Sequence, residues 1–335
     1  MTTVLVTHPT DKVGQYFGRN ATDALRAIAD LRFNVHARDL TTDELVEAAQ
    51  GCDAIIAYRQ TPAPAALFSQ LPELAAFIRC AVDIRTVDVA AASAHGVLVT
   101  QASAGFMAAV SEWIIGAMID LARGTSQYAA GYRRDEPLAP FMGRELRAST
   151  LGVIGYGQIA QYLCPLAQAL GMQVLVTAPD AIEAQHKVRQ APLQTLLGDS
   201  DFVVCLAPAT PQTEKLMNAE AFMAMRPGSF FINASRGELV DDAALLRALD
   251  DGHIAGCALD VGRAPDQMPM PELARHPRVL ATPHIGGLTL PAIEHQALET
   301  VAQLAALQRG EMPQGAVNAA HATRVKAWKQ ASVIR

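Results

Sequence analysis

Four places in this chain put residues with chemical capacity directly behind an apolar run. In LGVIGYGQIA, Leu151 to Ala160, a strand-like run breaks at Gly155-Tyr156-Gly157 and resumes as Gln158-Ile159-Ala160. The pattern is G-x-G-x-x-A. Gly155 permits a tight turn, Gly157 lets the backbone approach a pyrophosphate, and Ala160 lets a helix pack close to the strand. Phosphates would then meet the amides at the helix N-terminus, where the helix dipole favours negative charge. Downstream, NASRGELVD places Arg236 behind an apolar run, GCALDV does so with Asp260, and ATPHIGG sets His284 ahead of Gly286 and Gly287. Ligands of doubly wound sheets bind at the carboxyl ends of the strands, so these are the positions to inspect. Taken singly, Arg236 reads as a surface ion-pairing arginine and His284 as a strand cap or a satisfied core histidine.

The elements that would position them alternate between strand and helix signals. In the first hundred residues these are VLVT (Val4 to Thr7), a helix from Thr22 to Asp30, FNVHA, a helix from Thr42 to Ala49 stopped by Gly51, and AIIAY. FIRCAV, a short helix from Ala90 to Ala94 and VLVT (Val97 to Thr100) complete a small parallel α/β unit. One long helix, Ala108 to Arg123, follows and stops at Gly124; its apolar spacing suits burial against the next domain, or a domain-crossing role that supports a dimer. Arg133 to Glu145 reads as an exposed connector. From Leu151 to about Leu290 six strand candidates run in a doubly wound order, with an apolar turn at Leu193 to Leu197. Pro291 to Gln308 is a helix expected to return the chain to the first domain.

Bulk properties frame this reading. A chain of 335 residues holds roughly two domains, and with half its residues hydrophobic and 18% charged it has a globular composition. A net charge of -6 gives no footprint for nucleic acid. No apolar run is long enough to span a membrane, and no signal-peptide pattern opens the chain, so the expected compartment is the cytoplasm. The five cysteines are scattered without C-x-x-C pairs and read as reduced core thiols, and no zinc spacing stands among the histidines, so no metal is expected.

LGVIGYGQIA, CLAPATPQTEKLMN, NASRGELVD, GCALDV and ATPHIGG, in this order and spacing, resemble the D-isomer-specific 2-hydroxyacid dehydrogenase family over nearly the whole chain. The resemblance implies a Rossmann domain, residues 104–290, inserted into a smaller flavodoxin-like α/β substrate domain built from residues 1–103 and 291–335. It implies a homodimer, a small carboxylate substrate, and NAD as cofactor with NADP as the alternative. Carried over by position, Arg236 would hold the substrate carboxylate and polarise its 2-oxo group, as a planar, permanently charged fork can. His284 would donate the proton in reduction and accept it in oxidation. The cofactor set it implies comprises Gly155, Tyr156, Gly157, Gln158, Ile159, Asp180, Ala207, Pro208, Thr213, Ala234, Ser235, Asp260, Gly286 and Gly287. Arg59, Val82, Asp83 and Arg85 would face the substrate.

Three departures from the family pattern accompany the matches. The Glu that ordinarily partners the histidine falls on Pro265, with Asp266 behind it; a one-residue shift would let Asp266 take that role. The substrate loop, glycine-rich in the family, is Ala81-Val82-Asp83-Ile84-Arg85, and the usual Asn aligns near Phe106. Arg85 would add an anion contact, or pair with Asp83 or Asp88. The acid expected at the end of the second Rossmann strand falls on Ala178, leaving Asp180 two residues on and His186, Lys187 and Arg189 further along. Glyoxylate and hydroxypyruvate are the default substrates. A nucleotide-sensing interaction protein with the same fold is the competing reading, set against by the retention of both Arg236 and His284.

Overall fold

The computed structural model describes residues 2–136, 138–183 and 188–325. The chain divides into two compact units, Met1–Gly105 with Leu290–Arg335, and Phe106–Thr289. Among the described residues no helix is long and apolar enough to cross a membrane.

The first unit is built on five parallel strands, β1 (Thr3–Val6), β2 (Asp30–Phe33), β3 (Ala54–Ala57), β4 (Ala76–Arg79) and β5 (Leu98–Gln101), in the order β2-β1-β3-β4-β5. This is the flavodoxin-like order. Strands β3 and β4 are buried at every position, as a parallel sheet covered on both faces requires, whereas edge strand β2 alternates. One face packs against helices Gly18–Arg26 and Leu290–Gln308 through Leu25, Ala297 and Leu304; the other packs against Thr42–Ala49 and Ala65–Gln70 through Leu45, Leu67 and Phe68. Helix Thr42–Ala49 starts with a reciprocal cap in which the Thr41 hydroxyl accepts from the Glu44 amide and the Glu44 carboxylate accepts from the Thr41 amide.

Two polar side chains lie deep in this unit. Arg79, the last residue of β4, is fully buried and donates to the Tyr58 and Thr61 carbonyls and the Thr86 hydroxyl. Burial draws its pKa down to about 10. His8, behind β1, lies between the rings of Phe17 and Tyr58, and burial pushes its pKa down to about 3.

The second unit holds seven parallel strands: β6 (Thr150–Ile154), β7 (Gln173–Thr177), β8 (Arg189–Gln190), β9 (Phe202–Cys205), β10 (Phe230–Asn233), β11 (Gly256–Leu259) and β12 (Val279–Ala281). Their order is β12-β11-β10-β9-β6-β7-β8. The winding reverses between β6 and β9, which makes their carboxyl ends the topological switch point. Helix Met107–Arg123 belongs to this unit and buries Val110, Ile114, Ala117 and Met118 with the strands and helix Gln158–Ala169. All five cysteines are buried and free.

Several elements differ from the sequence reading. Thr22 does not open a helix: its hydroxyl bonds back to the Gly18 carbonyl at 2.8 Å inside helix Gly18–Arg26, and the following strand begins at Asp30 instead of Phe33. Leu193–Asp199 is a helix and not a turn; Pro192 precedes its first residue, and Leu196 and Leu197 are buried in the core. Gly124 ends the long helix in a left-handed conformation, φ 64°, but the chain restarts at once as helix Thr125–Arg133, an element the sequence reading did not assign. The seventh strand, β8, is a two-residue piece with no apolar run to reveal it.

Candidate active site

The glycine turn sits at the switch point. Strand β6 ends at Ile154, and Gly155 turns the chain at φ 94° with its amide bonded to the Thr177 carbonyl at 2.8 Å. A side chain at Gly155 would place its Cβ 2.7 Å from the Ala207 nitrogen, so no other residue fits. Gly157 is different. A Cβ there would meet nothing within 4 Å, so the surface over the turn is open on the side where a pyrophosphate would approach. Gly157 stands at the N-cap of helix Gln158–Ala169 without a side chain to occupy the first amides, and Ala160 is fully buried against the sheet. These features fit a dinucleotide, whose phosphates the amides of Gln158 and Ile159 would hold.

The other strands end along the same edge of the parallel sheet. Behind β9, Ala207 is buried and the Thr213 hydroxyl donates to the Pro208 carbonyl at 2.7 Å, closing the loop they span. Behind β10, the buried Asn233 organises the next loop: its amide nitrogen donates to the Arg236 carbonyl at 2.9 Å, and its oxygen accepts from the Ser235 amide at 3.0 Å. The Ser235 hydroxyl in turn donates to the Ala207 carbonyl. Arg236 has extended backbone, φ −148° and ψ 152°, and its guanidinium donates to the Ser235 carbonyl at 2.8 Å.

Asp260, behind β11, is 3% exposed and is the anchor of the histidine turn. Its carboxylate accepts from the Thr282 hydroxyl at 2.6 Å, the Ile285 amide at 2.8 Å and the Gly286 amide at 2.7 Å. Its carbonyl accepts from the His284 amide at 2.9 Å. Four bonds from one residue hold His284 in a left-handed conformation, φ 55°, which histidine tolerates better than most side chains. A Cβ at Gly286 would lie 2.8 Å from the Asp260 carboxylate, so the turn needs glycine there.

The shifted acid does not behave as the sequence suggested. Asp266 does reach His284, but through its main-chain carbonyl, 3.0 Å from Nδ1; the expected carboxylate partnership is not the one formed. The reason is local: Asp266 and Gln267 both have φ of 59°, which turns the Asp266 carbonyl, and not its side chain, toward the imidazole.

Behind β7, Ala178 and Asp180 lie in a loop fastened by Gln190. His186 and Lys187 fall outside the described residues, and Arg189 lies 3.4 Å from Asp199. In the first unit, Arg59 lies over the Tyr16 ring, 5.2 Å from its centre, and its Nε is 3.4 Å from the Tyr58 hydroxyl. Val82 is half-buried in the loop behind β4. Arg85 pairs with Asp83 at 2.8 Å, while Asp88 caps helix Val89–Ala94. Sequence reasoning did not single out Asn233, Thr282 or Gln190. The only signal for the first two was their position at the ends of strands β10 and β12.

Comparison with known proteins agrees with this geometry. Residues 115–286 match the family model described as D-isomer specific 2-hydroxyacid dehydrogenase, NAD binding domain. The chain is 32% identical to D-3-phosphoglycerate dehydrogenase 3, chloroplastic, of Arabidopsis thaliana, over 93% of this chain and 53% of that protein. It is 31% identical to D-3-phosphoglycerate dehydrogenase of Bacillus subtilis, over 79% of this chain and 51% of that one. The chain therefore spans about half the length of the curated relatives it matches. Among solved structures it is similar to the TT0316 protein from Thermus thermophilus, at 29% identity and TM-score 0.86 over 94% of this chain and 100% of that one. It is also similar to D-lactate dehydrogenase from Escherichia coli, at 25% identity and TM-score 0.81 over 95% and 100% of the two chains. With the family match covering the glycine turn, Arg236, Asp260 and His284, the chain belongs to the D-isomer specific 2-hydroxyacid dehydrogenase family and carries its NAD binding domain.

Proposed function

We propose that this protein interconverts a small 2-oxo acid and the corresponding D-2-hydroxy acid. The observation that carries the reading is the clamp on His284. Asp260 fixes its backbone from one side, and the Asp266 carbonyl fixes Nδ1 from the other, which supports Nε2 as the atom that exchanges a proton with substrate. Bound NAD supplies or takes the hydride. Arg236 binds the substrate carboxylate and draws electron density from the 2-oxo oxygen. In reduction, C2 gains the hydride and its oxygen gains the proton that His284 Nε2 releases; oxidation reverses both transfers.

The substrate class rests on cations. Arg59, held on the Tyr16 ring, and Arg85, paired with Asp83 beside Val82, are further cations that this reading gives to the substrate. Glyoxylate and hydroxypyruvate are the first substrates to try, and the phosphoglycerate dehydrogenases among the relatives add phosphohydroxypyruvate. Asp180 favours NAD over NADP, because its carboxylate opposes a 2′-phosphate. The protein acts as a homodimer in this reading, and the exposed Tyr132, Phe141 and Met142 are available to an interface.

The test is loss of reduced-nicotinamide absorbance with these 2-oxo acids, run with NADH and NADPH in parallel. Turnover with any of them supports the dehydrogenase reading. Tight cofactor binding without turnover across the panel overturns it in favour of a nucleotide sensor.

A further inference from the structure

We infer that the orienting partner of His284 is the main-chain carbonyl of Asp266, presented by a left-handed turn, so that this chain has replaced a side-chain acid with a backbone acceptor. The inference rests on His284 being the proton carrier proposed above.

The turn runs from Pro265 to Met268, with the Met268 amide bonded to the Pro265 carbonyl at 3.3 Å. Its two central residues, Asp266 and Gln267, both have φ of 59°. Two consecutive left-handed residues are the mark of a type I′ turn, a conformation usually left to Gly and Asn. The chain on either side is tied together by Gly262 N to Gln267 O at 2.8 Å and Ala264 N to Met268 O at 3.0 Å. These bonds use the carbonyls of Pro265, Gln267 and Met268. The carbonyl of Asp266 is the one left facing His284.

The surroundings are shaped for that turn. A Cβ on Gly262 would lie 2.5 Å from the Met268 oxygen, and one on Gly237 would run into Gly262, so both glycines are needed for the loop to fold back this closely. Strain at two non-glycine positions persists only where the neighbourhood fixes it.

A carbonyl oxygen has no hydrogen to give. In the bond to Asp266, Nδ1 must therefore be the donor, and the neutral imidazole is held as its Nδ1–H form. That is the form left when Nε2 passes its proton to substrate oxygen. The carboxylate of Asp266 takes no part, so Asp266 is a positioning residue acting through its backbone.

The experiment compares Asp266→Asn, Asp266→Gly and Asp266→Val. Asn and Gly adopt left-handed backbone readily and keep the carbonyl in place while removing the carboxylate; Val removes the carboxylate and, by resisting the left-handed backbone, turns the carbonyl away as well. Protein labelled with 15N-histidine gives the ring signature, with His284 identified by the signal lost in His284→Gln. Wild type, D266N and D266G are expected to show neutral His284 protonated at Nδ1, and to keep kcat for 2-oxo acid reduction within about twofold of one another. D266V is expected to lose that signature and to drop kcat by about a hundredfold, with its circular dichroism unchanged. Loss of the signature in D266N and D266G would overturn the inference in favour of the carboxylate, and an Nε2–H ring in the wild type would overturn it outright, since Nδ1 would then have no hydrogen to give either acceptor. Should D266V fail to fold, the Asn and Gly variants still decide the question. Should no 2-oxo acid turn over, the dehydrogenase reading fails on its own while the nitrogen spectrum still reports the partner of His284.

Discussion

The side-chain amide of Gln190 fastens the loop that carries Asp180: its nitrogen donates to the Asp180 carbonyl at 2.8 Å and to the Ala178 carbonyl at 3.0 Å, and its oxygen accepts from the Ile182 amide at 3.0 Å. One side chain on the short strand β8 thus sets the path of the chain beyond β7, where the cofactor's adenosine ribose belongs in this fold. Replacement by Leu removes all three bonds at nearly constant volume. KM for NADH is expected to rise about tenfold in Gln190→Leu with kcat little changed, because the loss falls on cofactor binding and not on the reacting atoms. Initial rates at varied NADH and saturating substrate check this; an equal fall in kcat would count against it.

Asp260 should prove less replaceable than its distance from solvent suggests. In Asp260→Asn one oxygen becomes an NH2 group facing donors, so at least one of the Thr282, Ile285 and Gly286 bonds is lost and the turn bearing His284 shifts. The expected result is a fall in kcat of about a hundredfold, as for a displaced catalytic group, with a smaller effect on NADH affinity. Paired steady-state kinetics and fluorescence titration with NADH distinguish the two.

Arg236 and His284 should fail in different ways. In the proposed reaction Arg236 both holds the substrate carboxylate and draws charge from the 2-oxo oxygen as it develops in the transition state, so Arg236→Ala should raise KM and lower kcat together. His284→Ala removes only the proton carrier, and kcat falls by about two to four orders of magnitude at nearly constant KM. Steady-state assays with whichever 2-oxo acid turns over supply both comparisons.

His8 gives the protein an acid sensitivity separate from the site. Burial lowers its pKa from 6.5 to about 3, and neither ring nitrogen has a hydrogen-bond partner among the described residues. Folding therefore excludes a proton that the unfolded chain accepts. The stability of the neutral form is complete above pH 6.5 and is lost progressively as pH falls toward 3, at up to about 1.4 kcal/mol per unit. His8→Gln should flatten that part of the curve, which urea unfolding at pH 7 and at pH values below 6.5 would show. An unchanged slope would place the sensitivity elsewhere.

What the sequence made legible were features decided by a few adjacent residues. Gly155 and Gly157 announce their turn because only glycine fits the first position; Arg236 and Asp260 each follow an apolar run that buries as a strand, and His284 follows the half-buried β12. What stayed hidden depends on pairings across the chain. Thr282 gains meaning only from a bond to Asp260, and Gln190 only from a loop eight to twelve residues before it. Asp266 misled for a further reason: a sequence advertises side chains, and here the backbone makes the contact. Helix starts were misjudged at Thr22 because a hydroxyl that caps a helix in one setting bonds back within it in another.

Arg79 carries a consequence for how this protein could diversify. Its guanidinium grips the carbonyls of Tyr58 and Thr61 and the hydroxyl of Thr86, which binds the loops behind β3 and β4 to a single rivet beneath them. Arg59 and the segment from Val82 to Arg85 lie between those attachment points. Residues there can be exchanged for others of different size or charge without unmooring either loop. The rivet divides labour along the chain: a fixed cation keeps the frame, and the side chains beside it are spared that task.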